Sequence, residues 1–306
     1  MIVRKIIEKE LIKGAHMRCD GSPFFEYPEI SSFGVKTEKF SFYSGQNKLI
    51  GELAYVGEKK NKDLLIFIPG FGAGRKAYSL EVSSFAKKGF LVLSFDGTGT
   101  MESQGESMVS LAQIIPDLDA LFKYIESNEE LKNRKRLVIG HSWGGFGAVH
   151  CLHHDEYKIE KIVNLSGFIS LPNECIDLAP IVKKVKKSLI RALINLYGKE
   201  CVIDGVDLLN KAKIPVLCIQ GDKDNMVSYK HNFLRIVNEV HNPLVTTYTA
   251  KNKYHQPYWT LKAQDYFIAN EKFDRINRPS GFKLDYSILF QDDQQIISLI
   301  IDFLKK

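Results

Sequence analysis

Cysteine is scarce and unpatterned in this chain of 306 residues. Cys19, Cys151, Cys175, Cys201 and Cys218 are odd in number, scattered, and contain no C-x-x-C pair. That usage excludes a disulfide framework and reads as reduced thiols, which places the protein in the cytoplasm. Long apolar runs are missing too. None approaches the roughly 20 residues that a membrane-spanning helix needs, so integral membrane association is not expected. The N-terminal MIVRKIIEKELIKG alternates apolar pairs with charges and lacks the uninterrupted core of a signal peptide. It reads as an amphipathic helix packed on the domain, ahead of a membrane-surface or dimerisation arm. Charge of one sign is also limited. Lys+Arg total 42 against 36 Asp+Glu, a net +6, and the lysines form no stripe interleaved with aromatics. A nucleic-acid partner is therefore not expected. Internal repeats and low-complexity segments are absent.

What remains is an ordinary globular composition, 44% hydrophobic and 25% charged. The length suits one large α/β domain with insertions or two small ones. Residues 39–43 and 49–56 alternate in the strand manner around Ser44-Gly45-Gln46-Asn47, which predicts a hairpin. From Asp63 onward, strand and helix patterns alternate. Apolar runs at 64–68, 90–95, 137–139, 162–165, 216–219 and 244–249 are separated by helical periods at 76–88 and 111–127, the latter with Pro116 marking a kink or a late start. A last helix is expected at 294–304. Buried strands alternating with helices predict an α/β fold whose mostly parallel sheet is covered on both faces. Chemistry in such sheets collects at the carboxyl ends of the strands.

The chain is organised around RLVIGHSWGGFGAV at 136–149. An apolar strand stops at Gly140-His141-Ser142-Trp143-Gly144, a G-x-S-x-G motif, and a helix opens behind it. Small flanking residues let the backbone turn sharply, which lifts the Ser142 hydroxyl above the sheet and leaves the Trp143 N–H free for an anion. A nucleophilic serine needs a base, an acid that orients the base, and donors for the oxyanion. Each has a candidate at a strand end. The run 216–219 ends in Gly221-Asp222-Lys223-Asp224, the run 244–249 leads to His255, and the run 64–68 ends in Pro69-Gly70-Phe71-Gly72. The order serine, acid, histidine is the one this architecture uses.

These motifs resemble the α/β-hydrolase superfamily, particularly its serine esterases and peptidase-like members. The similarity covers roughly residues 36–255 and the last helix. PGFG at 69–72 is similar to the oxyanion loop, DGTGTMESQGE at 96–106 to the D-x-G-x-G-x-S loop, GHSWGG at 140–145 to the nucleophile elbow, GDKDNMV at 221–227 to the acid turn, and YHQP at 254–257 to the histidine loop. The resemblance implies Ser142 as nucleophile, Asp224 as acid, His255 as general base, and the N–H groups of Phe71 and Trp143 as oxyanion hole. It implies no cofactor and a small-molecule acyl substrate, an ester, thioester or amide. Pro69 departs from the histidine many members carry there. Serine at 142 disfavours the branches that use aspartate or cysteine. Within the acid turn, Asp222 is expected to bond turn N–H groups while Asp224 reaches the histidine.

The domain reading is an arm at 1–35 and an α/β-hydrolase domain at 36–306 with a cap insertion at 168–213. That insertion contains IVKKVKKSLIRALINLYG, read as one amphipathic helix with Ile181, Val185, Leu189 and Leu196 on a shared face. The segment 256–291 also exceeds a simple connection. Acyl transfer to an acceptor other than water, and a binding protein without turnover, are the alternatives within the fold. A rival from another class is dinucleotide binding, since Gly72 to Ala77 satisfies G-x-G-x-x-A and Asp96 ends the next strand. It leaves the elbow, acid turn and histidine loop unexplained. A metal reading arises from His150 and His154 on one helical face, where histidines more often cap or solvate a helix end; no metal is expected.

Overall fold

The computed structural model describes residues 2–15, 17–21, 27–275, 282 and 284–306. Parts of the arm (1, 16, 22–26) and of the 256–291 segment (276–281, 283) lie outside the described residues. In chain order the elements are α1 (Ile2–Ala15), β1 (Lys36–Ser44), β2 (Asn47–Tyr55), β3 (Leu64–Ile68), α2 (Ser79–Lys87), β4 (Leu91–Phe95), α3 (Ile114–Ser127), β5 (Arg136–His141), α4 (Trp143–His150) and β6 (Ile159–Leu165). They continue with α5 (Leu171–Leu178), α6 (Lys186–Tyr197), α7 (Gly205–Asn210), β7 (Val216–Gly221), α8 (Phe233–Glu239), β8 (Val245–Ala250), α9 (Leu261–Arg275), α10 (Tyr286–Leu289) and α11 (Gln294–Lys305).

Among the described residues the strands form one sheet of eight, ordered β1-β2-β4-β3-β5-β6-β7-β8. The β1–β2 hairpin turns at Gly45-Gln46, and β2 also runs antiparallel to β4; every other pair is parallel. The parallel strands β3, β4 and β5 are buried along their whole length, as the continuous apolar runs require. Alternate side chains feed two cores. Leu64, Ile66, Ile68 and Val138 face α3 and α4, whereas Leu65, Phe67, Leu137 and Ile139 face α2 and α11. On α11, Ile296, Ile297, Ile300, Ile301 and Leu304 make the buried stripe, and the Asp293 carboxylate caps its first turn by accepting from the Gln295 and Ile296 N–H groups.

Pro116 resolves as a late start. A 3-10 turn spans Leu111–Gln113, the α-helix begins at Ile114, and Pro116 sits in its first turn, where no intrahelical N–H is needed. One face of α1 is packed: Ile7 is buried in the core that also holds Leu189, Ala192 and Leu193 of α6. The arm's last residues, Ile30 and Val35, pack into the opposite core.

Between β6 and β7 the chain makes a helical excursion. The single helix expected over 181–198 is broken. Pro180–Val185 is a 3-10 turn whose Ile181 is 80% exposed, and α6 starts only at Lys186. Ile181 lies in solvent, and the buried stripe is Leu189, Ala192 and Leu193 instead. The end of the excursion, α7, packs on α4 and is part of the main core.

Candidate active site

The strand β5 ends at His141, and Ser142 turns with φ 56° and ψ −118° into α4. A β-carbon on Gly140 would collide with the Gly144 carbonyl, and one on Gly144 with the Ile68 carbonyl, so both positions exclude a side chain. The Ser142 N–H donates to the Leu165 carbonyl at 2.8 Å, which extends the β5–β6 pairing, and its own carbonyl accepts from Phe146 at 3.1 Å, which starts the helix. The serine is thereby fixed at both of its peptide groups, with a half-buried side chain.

Asp224 lies in the turn after β7, and His255 in the loop after β8, on the next strand of the sheet. The His255 Nδ1 is 3.0 Å from each Asp224 carboxylate oxygen. Gln220 Nε2 (2.9 Å) and the N–H groups of Met226 (2.9 Å) and Val227 (3.0 Å) donate to the same carboxylate, whose side chain is fully buried. Burial alone raises the Asp224 carboxyl, but the His255 bond and charge and the two turn N–H groups outweigh it and hold it below its ordinary value of 3.8. An ionised carboxylate can only accept, so Nδ1 of His255 carries the proton that it donates to Asp224 and Nε2 is the nitrogen turned away from the acid. Among the described residues no hydrogen bond joins the Ser142 hydroxyl to His255; such bonds commonly tighten only around substrate.

Asp222 does not bond its own turn, contrary to the sequence expectation. Its carboxylate accepts from the Asn252 N–H at 2.7 Å, tying the acid turn to the loop after β8. The turn N–H groups go to Asp224, because the residues they belong to, Met226 and Val227, fold back beneath it.

On the other side of Ser142, β3 ends at Ile68 and the chain turns through Pro69-Gly70-Phe71. A β-carbon on Gly70 would lie 3.6 Å from that of Ser142, so this loop passes directly beside the serine. The N–H groups of Phe71 and Trp143 have no acceptor among the described residues, and the Trp143 N–H is the first of α4, where the helix end favours negative charge. The Phe71 and Trp143 rings meet edge to face at 5.2 Å, and Trp143 Nε1 donates to the Leu111 carbonyl at 2.6 Å.

Two residues that motif reading passed over join these loops. The Tyr78 hydroxyl accepts the Gly70 N–H at 3.0 Å and lies 2.7 Å from His141 Nδ1, while His141 Nε2 is 2.9 Å from the His255 carbonyl. Tyr78 stands in a stretch legible only as the start of a helix. His141 occupies a variable position of G-x-S-x-G.

Comparison with known proteins fits this geometry. Residues 59–203 match the family model for serine aminopeptidase, S33. The fold is shared with an esterase of Pyrococcus furiosus, at a TM-score of 0.61 and 18% identity over 85% of this chain and 98% of that one. The chain has the α/β-hydrolase fold. An α/β-hydrolase of a Penicillium species also superposes, with a TM-score of 0.55, 15% identity and coverage of 79% and 98%. Among sequence relatives, an uncharacterised peptidase of Bacillus subtilis is 23% identical over 223 residues, 70% of this chain and 84% of its own. A putative esterase/lipase of Mycoplasma genitalium is 32% identical over 108 residues, 35% of this chain and 38% of its own.

Within this fold the residues behind the rival readings have other partners. Asp96 is fully buried and ion-paired with Arg75, which also reaches Glu52 and Glu102 at 2.9 Å each. Its carboxylate faces the protein interior and presents nothing to a ribose. His150 is the last residue of α4, with Nδ1 3.1 Å from the Phe146 carbonyl. His154 lies beyond the following 3-10 turn, bracketed by Glu156 (2.9 Å) and Glu200 (2.8 Å). The two histidines therefore do not share a helix face. Among the described residues no helix is long and apolar enough to cross a membrane.

Proposed function

We propose that this α/β-hydrolase is a serine hydrolase that cleaves a carboxylic ester, or the related thioester or amide, through an acyl-enzyme on Ser142. The observation that carries the reading is the Asp224–His255 pair at 3.0 Å, held at the same sheet edge as the Ser142 turn. His255 Nε2 takes the hydroxyl proton as Ser142 Oγ bonds to the acyl carbon. The N–H groups of Phe71 and Trp143 hold the resulting oxyanion. His255 then returns the proton to the leaving alcohol, thiol or amine as the acyl–leaving-group bond breaks. Water, deprotonated by the same nitrogen, releases the acid and frees the serine. The excursion at 168–213 serves as a cap over this edge. Five free cysteines suit a reducing compartment, and the cytoplasm is the location that accompanies this reading.

The test is fluorophosphonate labelling of the wild type and of Ser142→Ala, followed by a panel of esters, thioesters and amides on the same preparations. Labelling and turnover confined to the wild type support the reading. Equal labelling or hydrolysis by Ser142→Ala overturns it.

A further inference from the structure

An apolar cavity of about 460 Å³ lies between α1, α5, α6 and the loop after β3. This falls within the roughly 300–1,000 Å³ of small-ligand sites. Leu11 of α1, Phe71, Leu111, Leu171 and Leu178 of α5 and Leu193 of α6 supply its wall. Several distant segments thus converge on one space, and two of these side chains are left open to solvent, Phe71 at 39% and Leu178 at 68%. Apolar surface gathered in one concavity marks a place where something apolar docks.

The cavity borders the candidate active site. Phe71 forms part of its wall and follows Gly70, which lies against Ser142; Leu111 holds the Trp143 indole through its carbonyl. An acyl group bonded to Ser142, with its oxygen toward Phe71 and Trp143, would have its chain beside this opening.

The wall also decides what kind of chain fits. The Ser110 hydroxyl is engaged by the Ala112 N–H at 3.0 Å. Burial pushes the Cys175 thiol up to about 12, so it contributes no thiolate. Among the described residues Glu10 of α1 is the one carboxylate of the wall, and it repels an anionic chain end. The α1 wall is anchored rather than loose, since Ile7 packs among the α6 leucines and Asn195 Nδ2 donates to Glu8 Oε1 at 3.0 Å.

We infer that this cavity is the acyl-chain site, that it takes an uncharged chain of several carbons, and that the N-terminal helix α1 is one of its specificity-determining walls. The inference rests on the serine-hydrolase reading and names the substrate class for it. Each methylene moved from water into such a wall favours binding by about fourfold at full burial.

The experiment measures kcat/KM for p-nitrophenyl acetate, butyrate, octanoate and dodecanoate in the wild type, in Leu178→Asp and in Leu11→Ala, with thermal melts to establish folding. Leu178 is largely exposed, so a charge there leaves the core intact. The wild type should prefer octanoate over acetate by about tenfold or more, and both variants should reduce that ratio, Leu178→Asp by about tenfold. A second arm titrates octanoate and acetate into Ser142→Ala, alone and combined with Leu178→Asp, by calorimetry. Octanoate binding that Leu178→Asp abolishes supports the site without any turnover. A flat chain-length profile in a protein that labels with fluorophosphonate overturns the acyl-chain site and leaves the hydrolase reading standing. Octanoate binding without labelling or hydrolysis overturns the hydrolase reading instead. Neither binding nor labelling overturns both.

Discussion

The hydroxyl of Tyr78 lies 2.7 Å from Nδ1 of His141, and this one contact links the three loops that carry the candidate site. The His255 carbonyl can only accept, so His141 Nε2 carries the ring proton and Nδ1 accepts from the Tyr78 O–H. The Tyr78 oxygen in turn accepts the Gly70 N–H. Burial, and then the charge of His255, push the His141 imidazole down to about 3, which keeps it neutral and preserves this donor order. The chain of bonds runs from the loop beside Phe71, through the residue before Ser142, to the backbone of His255.

Tyr78→Phe removes the acceptor of one buried N–H and the donor to one buried ring nitrogen. Stability should fall by about 1–3 kcal/mol. If the network also positions the loops, kcat should fall by about ten- to a hundredfold with KM little changed. Urea unfolding and steady-state kinetics on the same variant separate the two effects. A destabilised variant with wild-type kcat would leave Tyr78 a purely structural residue.

Ser142 holds φ 56°, a region that non-glycine residues enter at a cost of about 1–3 kcal/mol. Ser142→Ala keeps that strain and Ser142→Gly releases it, while glycine's freer unfolded chain takes back about 0.5–1 kcal/mol. Both variants should lose hydrolysis, and the glycine variant should be more stable than the alanine variant by about 1 kcal/mol. Urea midpoints in the opposite order would show that the turn is not strained in solution.

Much of this was legible in the chain itself, for identifiable reasons. Continuous apolar runs located β3, β4, β5 and β7 because strands buried on both faces leave few polar positions to blur the pattern. The elbow was legible because backbone clashes require glycine at 140 and 144. The α6 break was not, since it depends on whether Ile181 finds a surface to pack on, which no local pattern encodes. Nor was the Tyr78–His141 link, which spans 63 residues and uses side chains with ordinary roles elsewhere. Asp224 meets His255 as the turn sequence suggests, but the role of Asp222 was not legible, because its partner, the Asn252 N–H, lies on another loop.

That pair of aspartates yields a sharp comparison. Asp224→Asn places an amide among donors: His255 Nδ1–H, Gln220 Nε2 and two turn N–H groups all point at the present carboxylate. One amide nitrogen must face another donor, so stability should fall by about 1–3 kcal/mol. Turnover should fall by about 10⁴-fold through the wrong His255 tautomer. Asp222→Asn keeps an oxygen for the Asn252 N–H and should change both quantities far less. A larger loss of turnover in Asp222→Asn than in Asp224→Asn would reverse the assignment.

The last expectation concerns pH and the segment beyond His255. Glu81 of α2 is buried and accepts from Trp259 Nε1 at 2.6 Å, while Asp292 nearby accepts from the Ser84 hydroxyl at 2.6 Å. Burial, and then the Asp292 charge, raise the Glu81 carboxyl above its ordinary value of 4.5, and the Trp259 bond offsets only part of this. Asp292 is raised as well, chiefly by burial. A carboxyl raised by folding holds its proton more tightly in the native state than in the unfolded chain. Its contribution is therefore fully present below 4.5 and is lost as pH climbs through the raised native value, because the unfolded state binds fewer protons over that window. The buried histidines 141 and 150, whose values are lowered, act with the opposite sign and obscure the effect in a single pH profile. Glu81→Gln isolates it. The glutamine oxygen still accepts from Trp259 but does not titrate, and the histidine terms cancel in the difference between variant and wild type. The stability difference, variant minus wild type, should rise steadily across urea unfolding at about pH 5, 7 and 9. Parallel profiles over that range would mean that Glu81 is charged in the native state and that Asp292 yields its own charge instead.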